Sequence, residues 1–233
     1  MTLGEEPRIE PGAPTNRVWL GSGAWVEVAP GWLRGADALF EHLAAEVPWR
    51  QGKRWMYERV VDDPRLSHWY SSEDELPHPA LGAMRTALER RCGVRFGAVG
   101  LNYYRDGKDS VAPHRDRELK YLDSTLIAIV TLGGQRPFHL RRIGGGASHR
   151  LQPASGDLLV MGGTCQRLWE HGVPKVAGAD PRISVSMRWS SGRGREEHVP
   201  AWRPYGIADE PDAASSNQAS GNPASGNPAS SAG

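Results

Sequence analysis

The sequence predicts an α+β protein in which N-terminal helices buttress a β-barrel or jelly roll. Residues 36–47 place four apolar side chains on one face at helical spacing. Residues 79–93 begin with proline and end with glycine, the usual order of signals at the two ends of a helix. From residue 96 onward, short β-branched and aromatic segments alternate with Asp-Gly and Gly-rich turns. Helices followed by many short strands favour helices packed on a closed or double β-sheet.

The chain of 233 residues is long enough for one domain with an extension at each end. We expect the domain to span residues 17–205, after a flexible N-terminus over residues 1–16. Near the other end the segment ASGNP occurs twice in succession, among small polar residues, glycine and proline. Such a composition cannot bury enough apolar area to offset chain entropy. Residues 206–233 are therefore predicted to form a disordered low-complexity tail.

The composition argues against a membrane or secreted protein. No apolar run approaches the length of a membrane span, and the N-terminus lacks a basic start followed by an apolar stretch. Two cysteines are too few for a disulfide framework and suit a reducing, cytoplasmic location. We expect a monomer, because no long apolar patch or heptad pattern offers a partner surface.

The net charge of +1 conceals an uneven distribution. Residues 196–233 carry a balance of −4, so the rest of the chain carries +5. This mild basic excess permits a nucleic-acid partner but does not demand one, since dedicated binders usually show a stronger basic stripe.

Two predicted strands place polar residues on a single face. Side chains two residues apart in a strand point the same way, so the segment RISVSMR separates its polar from its apolar residues. Its polar face holds Arg182, Ser184, Ser186 and Arg188. Asn102 and Tyr104 share a face of the segment LNYYR in the same way. Each pattern alone is common in strands whose polar face meets solvent.

His114 and Asp116 form a His-x-Asp pair, which by itself is common by chance. In an extended segment their donor atoms converge on one side, and His171 supplies a distant second imidazole. Two histidines and one carboxylate are the ligand set of the non-haem Fe(II) oxygenases, although zinc hydrolases use such ligands too. The arginine-bearing strand favours an oxygenase, because a dicarboxylic cosubstrate needs cations to hold it and a hydrolysis does not.

Four ordered blocks between about residues 97 and 190 resemble the AlkB-like Fe(II)- and 2-oxoglutarate-dependent dioxygenases. The blocks are NYYRDGKDSVAPHRDRE, STLIAIVTLGGQRPFHLRR, LQPASGDLLVMGGTCQRLWEHGVPK and PRISVSMR. The earlier segment PRLSHWYS resembles the family's substrate-side loop. The resemblance implies a double-stranded β-helix, a form of jelly roll, over about residues 96–190. It also implies oxidative removal of N-methyl groups from bases, with release of succinate and formaldehyde.

The resemblance assigns roles to individual residues. Three would bind Fe(II): His114, Asp116 and His171. Five would hold 2-oxoglutarate: Asn102, Tyr104, Arg182, Ser184 and Arg188. Four would contact the substrate: Glu118, Trp69, Tyr70 and Arg141. Dioxygen would be the second cosubstrate.

Within these sets the expected roles differ. Arg182 would hold the distal carboxylate of 2-oxoglutarate and Arg188 the end nearer the metal, while Ser184 stands where many members have asparagine. Glu118 would read the target base. Trp69 and Tyr70 would form a wall on which the base stacks, and Arg141 would meet phosphates at a basic lip.

The implied substrate is alkylated DNA or RNA carrying 1-methyladenine or 3-methylcytosine, single-stranded or with the base flipped out of a duplex. The alternative is a 2-oxoglutarate oxygenase that acts on a protein side chain or a small molecule, which the moderate charge leaves open. A binding module without activity is harder to sustain, since the three metal ligands and both arginines are present.

Overall fold

The structure, a computed structural model, describes residues 5–56 and 58–193, which form fourteen strands and three helices. The strands are β1 (Arg8–Ile9), β2 (Asn16–Gly21), β3 (Ala24–Ala29), β4 (Leu33–Arg34), β5 (Arg50–Met56), β6 (Arg59–Tyr70), β7 (Val99–Tyr104), β8 (Val111–His114), β9 (Thr125–Gly133), β10 (Phe138–Arg142), β11 (Ser148–Leu151), β12 (Leu158–Gly163), β13 (Trp169–Val173) and β14 (Arg182–Ser190). The helices are α1 (Ala36–Glu46), α2 (Pro79–Cys92) and α3 (Cys165–Leu168).

Two antiparallel sheets make up most of the domain. The large sheet has eight strands in the order β2-β3-β12-β9-β14-β7-β6-β5, and the smaller has four in the order β11-β10-β13-β8. The last strand in sequence, β14, pairs with β9 on one side and with β7 on the other. The chain therefore completes the centre of the large sheet last. This sheet-rich core is consistent with the predicted jelly roll.

The large sheet buries both of its faces. On one face, apolar residues of α1 and α2, such as Leu39 and Met84, pack against Val130 and Val185 of the central strands. On the other face, a second apolar cluster joins the large sheet to the smaller one. Strand residues buried on both sides read as continuous apolar runs, which explains why β9 is almost entirely hydrophobic.

The two long helices lie where the sequence predicts them, α1 from its apolar spacing and α2 from its end signals. The side chain of His78 accepts a hydrogen bond from the backbone N–H of Ala80 at the start of α2, and Pro79 occupies the first turn. Gly93 ends the same helix in the left-handed conformation, with φ of 66°. This conformation favours glycine because it has no Cβ.

The interpretation of the N-terminal half as mainly helical is wrong in part. Strands β2, β3, β5 and β6 contribute half of the large sheet, and the segment PRLSHWYS lies largely in β6 rather than in a loop. Strand β6 escaped the prediction because it is rich in charged and polar residues.

The expectation of a flexible stretch over residues 1–16 does not hold for β1, which pairs with β4. The predicted tail, residues 206–233, lies outside the described residues. Among the described residues, no helix is both long enough and apolar enough to cross a membrane.

Candidate metal centre

Two strands of the smaller sheet place the two histidines side by side. His114 is the last residue of β8, His171 lies in the middle of β13, and the two are register partners with ring centres 4.3 Å apart. Asp116 follows β8 after one intervening residue. One ligand atom from each of the three side chains lies within 4.8 Å of the others. The three predicted metal ligands are thus together in space, although 55 residues separate the last two in sequence.

The Asp116 carboxylate is buried, and its two oxygens have different surroundings. Oδ2 accepts a hydrogen bond of 2.6 Å from Nε of Arg188. Oδ1 accepts none from the described residues, yet it lies 3.3 Å from Nε2 of His114 and 3.7 Å from Nε2 of His171. A buried carboxylate oxygen without a hydrogen bond, facing two imidazole nitrogens, fits a divalent cation held by all three.

The electrostatics keep these groups in the protonation states that a metal requires. Burial alone would raise the pKa of Asp116, but the Arg188 guanidinium and the two histidines outweigh it and hold that pKa well below its ordinary value. Burial lowers the pKa of His171 to about 3, and the adjacent His114 adds to the effect. Asp116 is therefore an anion and His171 a neutral imidazole near pH 7, which is the form that binds metals.

Groups around the site orient the three side chains. Nδ1 of His114 lies 3.0 Å from the backbone oxygen of Ala112, which turns Nε2 toward Asp116. Gln166, buried in α3, accepts a hydrogen bond of 2.8 Å from the backbone N–H of Asp116, and its amide nitrogen lies 3.4 Å from Nδ1 of His171. No pattern in the sequence indicates that Gln166 lies here.

The predicted cosubstrate residues line the adjoining face of the large sheet. Arg182 is completely buried, and its Nε and Nη1 have no hydrogen-bond partner among the described residues. Only its Nη2 donates, to Oγ1 of Thr131 at 3.2 Å. Burial lowers its pKa to about 10, which still leaves the guanidinium charged. Unpartnered buried donors of this kind fit a carboxylate that supplies two acceptors.

Tyr104 lies beside this arginine, with the Arg182 guanidinium carbon 5.9 Å from its ring centre. Tyr104, Asn102 and Ser184 border a cavity of about 280 Å³ that also reaches His114 and His171. Arg182 does not border that cavity directly. A dicarboxylate in the cavity would meet the tyrosine first, with the buried guanidinium behind it.

Arg188, at the other end of β14, lies next to the metal ligands. Its Nη1 donates to Oγ of Ser186 at 3.3 Å, and its guanidinium carbon is 5.3 Å from the ring centre of Trp69. Trp69 stands over Gly100, where any Cβ would collide with the indole ring. The close approach of ring and backbone therefore requires glycine at this position.

Glu118 and Trp69 border the cavity, but two other predicted substrate residues do not. Tyr70 is wrong as a stacking residue, because it is buried in the apolar cluster on the helix side of the large sheet. Neighbouring residues of a strand point to opposite faces, so Trp69 and Tyr70 cannot form one wall. Arg141 lies outside the cavity lining and forms an ion pair of 2.7 Å with Glu170.

Several cavity residues were missed by the sequence interpretation. Arg65, Ser67, Arg50 and Gln51 reach the cavity from β5 and β6, and Nε of Arg65 donates to Oδ1 of Asn102 at 2.9 Å. The signal was present, since residues 65, 67 and 69 share one face of a strand. The interpretation of the segment PRLSHWYS as a loop concealed this shared face.

Burial raises the pKa of Glu118, and the neighbouring Asp116 carboxylate raises it further. An Oε1 of Glu118 lies 3.8 Å from Nε of Arg188. The acid therefore borders the cavity close to Arg188 and Asp116.

The two antiparallel sheets bring two histidines and an aspartate together beside a strand with two inward arginines. Two histidines and one carboxylate are the ligand set that the non-haem Fe(II) oxygenases use. The family model for the 2OG-Fe(II) oxygenase superfamily matches residues 26–193. The chain belongs to this superfamily.

Alpha-ketoglutarate-dependent dioxygenase alkB homolog 3 of Bos taurus is 31% identical over 187 residues, which cover 69% of this chain and 64% of the relative. The protein of the same name from Homo sapiens is 30% identical over 68% of this chain and 64% of its own length. DNA oxidative demethylase ALKBH2 of Bos taurus is 28% identical over 66% of this chain and 64% of its length. The chain thus spans somewhat under two thirds of these relatives.

Among solved structures, an oxidoreductase of the 2OG-Fe(II) oxygenase family from Burkholderia pseudomallei aligns with a TM-score of 0.47. It is 15% identical, over 67% of this chain and 79% of that chain.

Proposed function

We propose that the protein is an Fe(II)- and 2-oxoglutarate-dependent dioxygenase that demethylates N-alkylated bases in nucleic acid. The observation that carries this proposal is the buried Oδ1 of Asp116, which accepts no hydrogen bond from the described residues and faces Nε2 of His114 and of His171. The names of the similar proteins support the reaction and the substrate class.

His114, Asp116 and His171 would hold the iron, which with 2-oxoglutarate and dioxygen supplies the oxidising chemistry. In the net reaction, 2-oxoglutarate becomes succinate and carbon dioxide. The methyl carbon leaves as formaldehyde, and the base regains its unmodified nitrogen. One atom of dioxygen enters succinate and the other enters formaldehyde.

The polar face of β14 and its neighbour β7 would orient the cosubstrate. The unpartnered donors of Arg182, with the hydroxyl of Tyr104, would bind the distal carboxylate. Nε of Arg65 donates to Oδ1 of Asn102, and the amide N–H groups of Asn102 would then donate to the cosubstrate. Arg188 would balance the charge of Asp116 and of the carboxylate nearest the iron.

Glu118 and Trp69 would hold the base. Alkylation at a ring nitrogen leaves adenine or cytosine cationic, so a carboxylate in the cavity favours the damaged form over the normal one. A carboxylate also accepts a hydrogen bond from the exocyclic amine of either base. The indole of Trp69 offers a stacking surface. The base must leave its stack to enter such a cavity, so the substrate strand would be single-stranded or locally opened.

The test is mass spectrometry of a single-stranded DNA oligonucleotide that carries one 1-methyladenine or 3-methylcytosine. It is incubated with Fe(II), 2-oxoglutarate and oxygen, beside a His171→Ala variant and a reaction without 2-oxoglutarate. We expect loss of one methyl group only in the complete reaction with the unaltered protein. Methyl loss without 2-oxoglutarate would indicate a hydrolase instead.

Two other outcomes separate the parts of the proposal. Succinate formation with an unchanged oligonucleotide, and with an unchanged RNA of the same sequence, would move the oxygenase to a protein side chain or a small molecule. The absence of succinate from a folded, iron-loaded sample would contradict the catalytic role itself.

A further inference from the structure

Arg136 is a completely buried arginine outside the candidate metal centre. It lies between β9 and β10, where the chain passes from the large sheet into the smaller one. Its relative exposure is 0%, and it does not border the cavity that reaches His114 and His171. Arginine is seldom fully buried without a partner of opposite charge. The contacts of this guanidinium therefore need an explanation.

Three backbone carbonyls accept hydrogen bonds from Arg136. Its Nη1 donates to the oxygen of Asp106 at 2.9 Å. Its Nη2 donates to the oxygen of Asp109 at 2.9 Å and to that of Pro174 at 2.8 Å. The two aspartates lie in the loop between β7 and β8, and Pro174 lies in the loop between β13 and β14. Arg136 therefore ties two loops to its own turn at one end of the sheets.

These contacts explain the place of the guanidinium but not its charge, because a neutral donor can also bind carbonyl oxygens. The two acids that follow β7 have other contacts. The Asp109 carboxylate forms an ion pair of 2.8 Å with Arg105, and Oδ1 of Asp106 accepts from the backbone N–H of Lys108 at 2.8 Å. Within residues 5–56 and 58–193, no carboxylate forms an ion pair with Arg136, and its Nε has no hydrogen-bond partner. The charge of Arg136 thus lacks a counterion in direct contact.

A second buried arginine lies near the same aromatic ring. The guanidinium carbons of Arg136 and Arg182 are each 5.9 Å from the ring centre of Tyr104. The pKa of Arg182 is lowered to about 10, first by burial and also by the positive charge of Arg136. The two cations therefore repel each other. Three of their nitrogens have no hydrogen-bond partner in the described part of the chain. An anion beside Tyr104 would offset this repulsion.

We propose that Arg136 is a positioning residue for the carboxylate of 2-oxoglutarate that is farther from the metal. Its charge attracts that carboxylate through Tyr104, which borders the cavity, while Arg182 makes the direct contact. Its three hydrogen bonds hold the loops that follow β7 and β13, and so keep Tyr104 and Arg182 in place. The inference rests on the proposed function, in which 2-oxoglutarate is the cosubstrate.

The inference makes a specific demand on the charge of the ligand. 2-Oxopentanoate has the same chain length as 2-oxoglutarate but ends in a methyl group instead of the distal carboxylate. A cation near that end of the ligand favours 2-oxoglutarate over 2-oxopentanoate, and the preference falls when the cation is removed. Loosening of the loops alone would weaken the binding of both compounds alike.

The experiment compares Arg136→Gln with Arg136→Lys. Both variants lose the planar fork that binds three carbonyls, but only Arg136→Lys keeps a positive charge. Calorimetric titration of the Fe(II)-loaded proteins without oxygen gives the dissociation constants of both compounds without turnover. We expect Arg136→Gln to bind 2-oxoglutarate about tenfold more weakly and 2-oxopentanoate with nearly unchanged affinity. Arg136→Lys should keep most of the preference for 2-oxoglutarate.

The matched control is Arg105→Gln. This variant removes the ion pair with Asp109 and loosens the same loop, but Arg105 is exposed, so no buried charge is lost. Its preference for 2-oxoglutarate over 2-oxopentanoate should equal that of the unaltered protein. An unchanged preference in Arg136→Gln would overturn the inference, and so would an equal loss of preference in the control.

A measurement on the unaltered protein does not depend on the folding of a variant. At saturation, 2-oxoglutarate should slow hydrogen exchange of the backbone amides in the loops 105–110 and 174–181 more than 2-oxopentanoate does. Only the distal carboxylate offsets the repulsion between Arg136 and Arg182, and thereby strengthens the hold of Arg136 on the loops. Equal protection by the two compounds would contradict the inference.

Failure of the proposed function gives a different result. In that case the unaltered protein would bind neither compound, and the inference would fall with the function. An unaltered protein that prefers 2-oxoglutarate, together with an Arg136→Gln variant that keeps the same preference, would retain the proposed function and remove only the role of Arg136.

Discussion

The two faces of β14 differ in how completely their groups are partnered. On the helix side, Ile183, Val185 and Met187 are buried within one apolar cluster. On the cavity side, two nitrogens of Arg182 have no hydrogen-bond partner among the described residues. The Arg188 guanidinium forms an ion pair with Asp116. Buried donors without partners cost about 1–3 kcal/mol each. The comparison teaches that the packed face supplies stability that offsets the cost of the unpartnered polar groups on the other face.

The same comparison separates the residues that hold β14 in place from the residues that are proposed to bind ligands. The alternation of a strand fixes each inward arginine to the same backbone as a well-packed apolar neighbour. The proposed cosubstrate residues are therefore positioned by a core on the opposite face of the sheet. Four substitutions or conditions test this division, and each should affect one face without the other.

The largest effect is expected from His171→Leu. The ring is buried and neutral, so an apolar residue of similar size should change the free energy of unfolding by less than about 1.5 kcal/mol. Succinate formation should fall at least about 10³-fold, because a metal ligand is lost. Equilibrium denaturation and a succinate assay measure the two quantities. A strongly destabilised variant would show that the cavity face also carries stability.

Ile183→Ala should lower stability and leave binding of 2-oxoglutarate nearly unchanged. Ile183 is fully buried beneath the helices, so its truncation should lower the free energy of unfolding by about 2–5 kcal/mol. The KM for 2-oxoglutarate should change little at a temperature where the variant is folded. The matched control on the other face is Ser184→Ala, which should leave stability nearly unaltered. A large KM change in Ile183→Ala would show that the faces are not separable.

Arg182→Met removes the buried charge while keeping its bulk. Binding of 2-oxoglutarate to the iron-loaded protein should weaken at least about 30-fold, because a charge-assisted pair loses its cation. The free energy of unfolding without ligands should stay equal or rise, since the unpartnered donors are gone. Calorimetric titration and denaturation give both values. Unchanged affinity would remove Arg182 from the cosubstrate site.

The smallest expected effect is a dependence of the free energy of unfolding on pH, which arises from His171 on the cavity side. The ring of His171 stays neutral in the folded protein down to about pH 3, whereas the unfolded chain binds a proton near pH 6.5. Below pH 6.5 the unfolded state therefore holds more protons, and stability falls as the pH falls.

The slope contributed by this one group approaches about 1.4 kcal/mol per pH unit between pH 6 and 4.5. Denaturation of chelator-treated protein, compared with His171→Leu at each pH, isolates it because the other titrating groups are shared. If the free energy of unfolding changed with pH in the same way for both proteins, the His171 ring would take up its proton in the folded state as well.

The structure brings together the three side chains that the sequence selected as metal ligands, and it places the polar residues of β14 on one face, for a physical reason. Strand alternation ties Arg182 and Arg188 to one side, and a His-x-Asp pair converges in any extended segment. It failed for Tyr70, because a strand was mistaken for a loop and two neighbours were placed on one wall. Gln166 could not be found from sequence, since only the folded chain brings its amide next to Asp116 and His171.

The N-terminal half was harder to predict because its strands do not alternate clearly. One face of β6 borders a polar cavity and the other meets a core, so charged residues interrupt the pattern that normally identifies a strand. The helices were simpler: the apolar spacing within α1 and the end signals of α2 are local features of the sequence.

The position of β14 at the centre of the large sheet also bears on biosynthesis. During synthesis, β7 and β9 leave the ribosome long before β14. Until β14 pairs with them, each has one edge whose backbone N–H and C=O groups are unpaired. Exposed strand edges invite pairing with other chains, and sheets built from distant segments close slowly. Until Ser190 has emerged, the nascent chain has neither a closed sheet nor Arg188 beside Asp116. Any chain interrupted upstream of that residue would be prone to aggregate, and the candidate metal centre would form only as the domain closes.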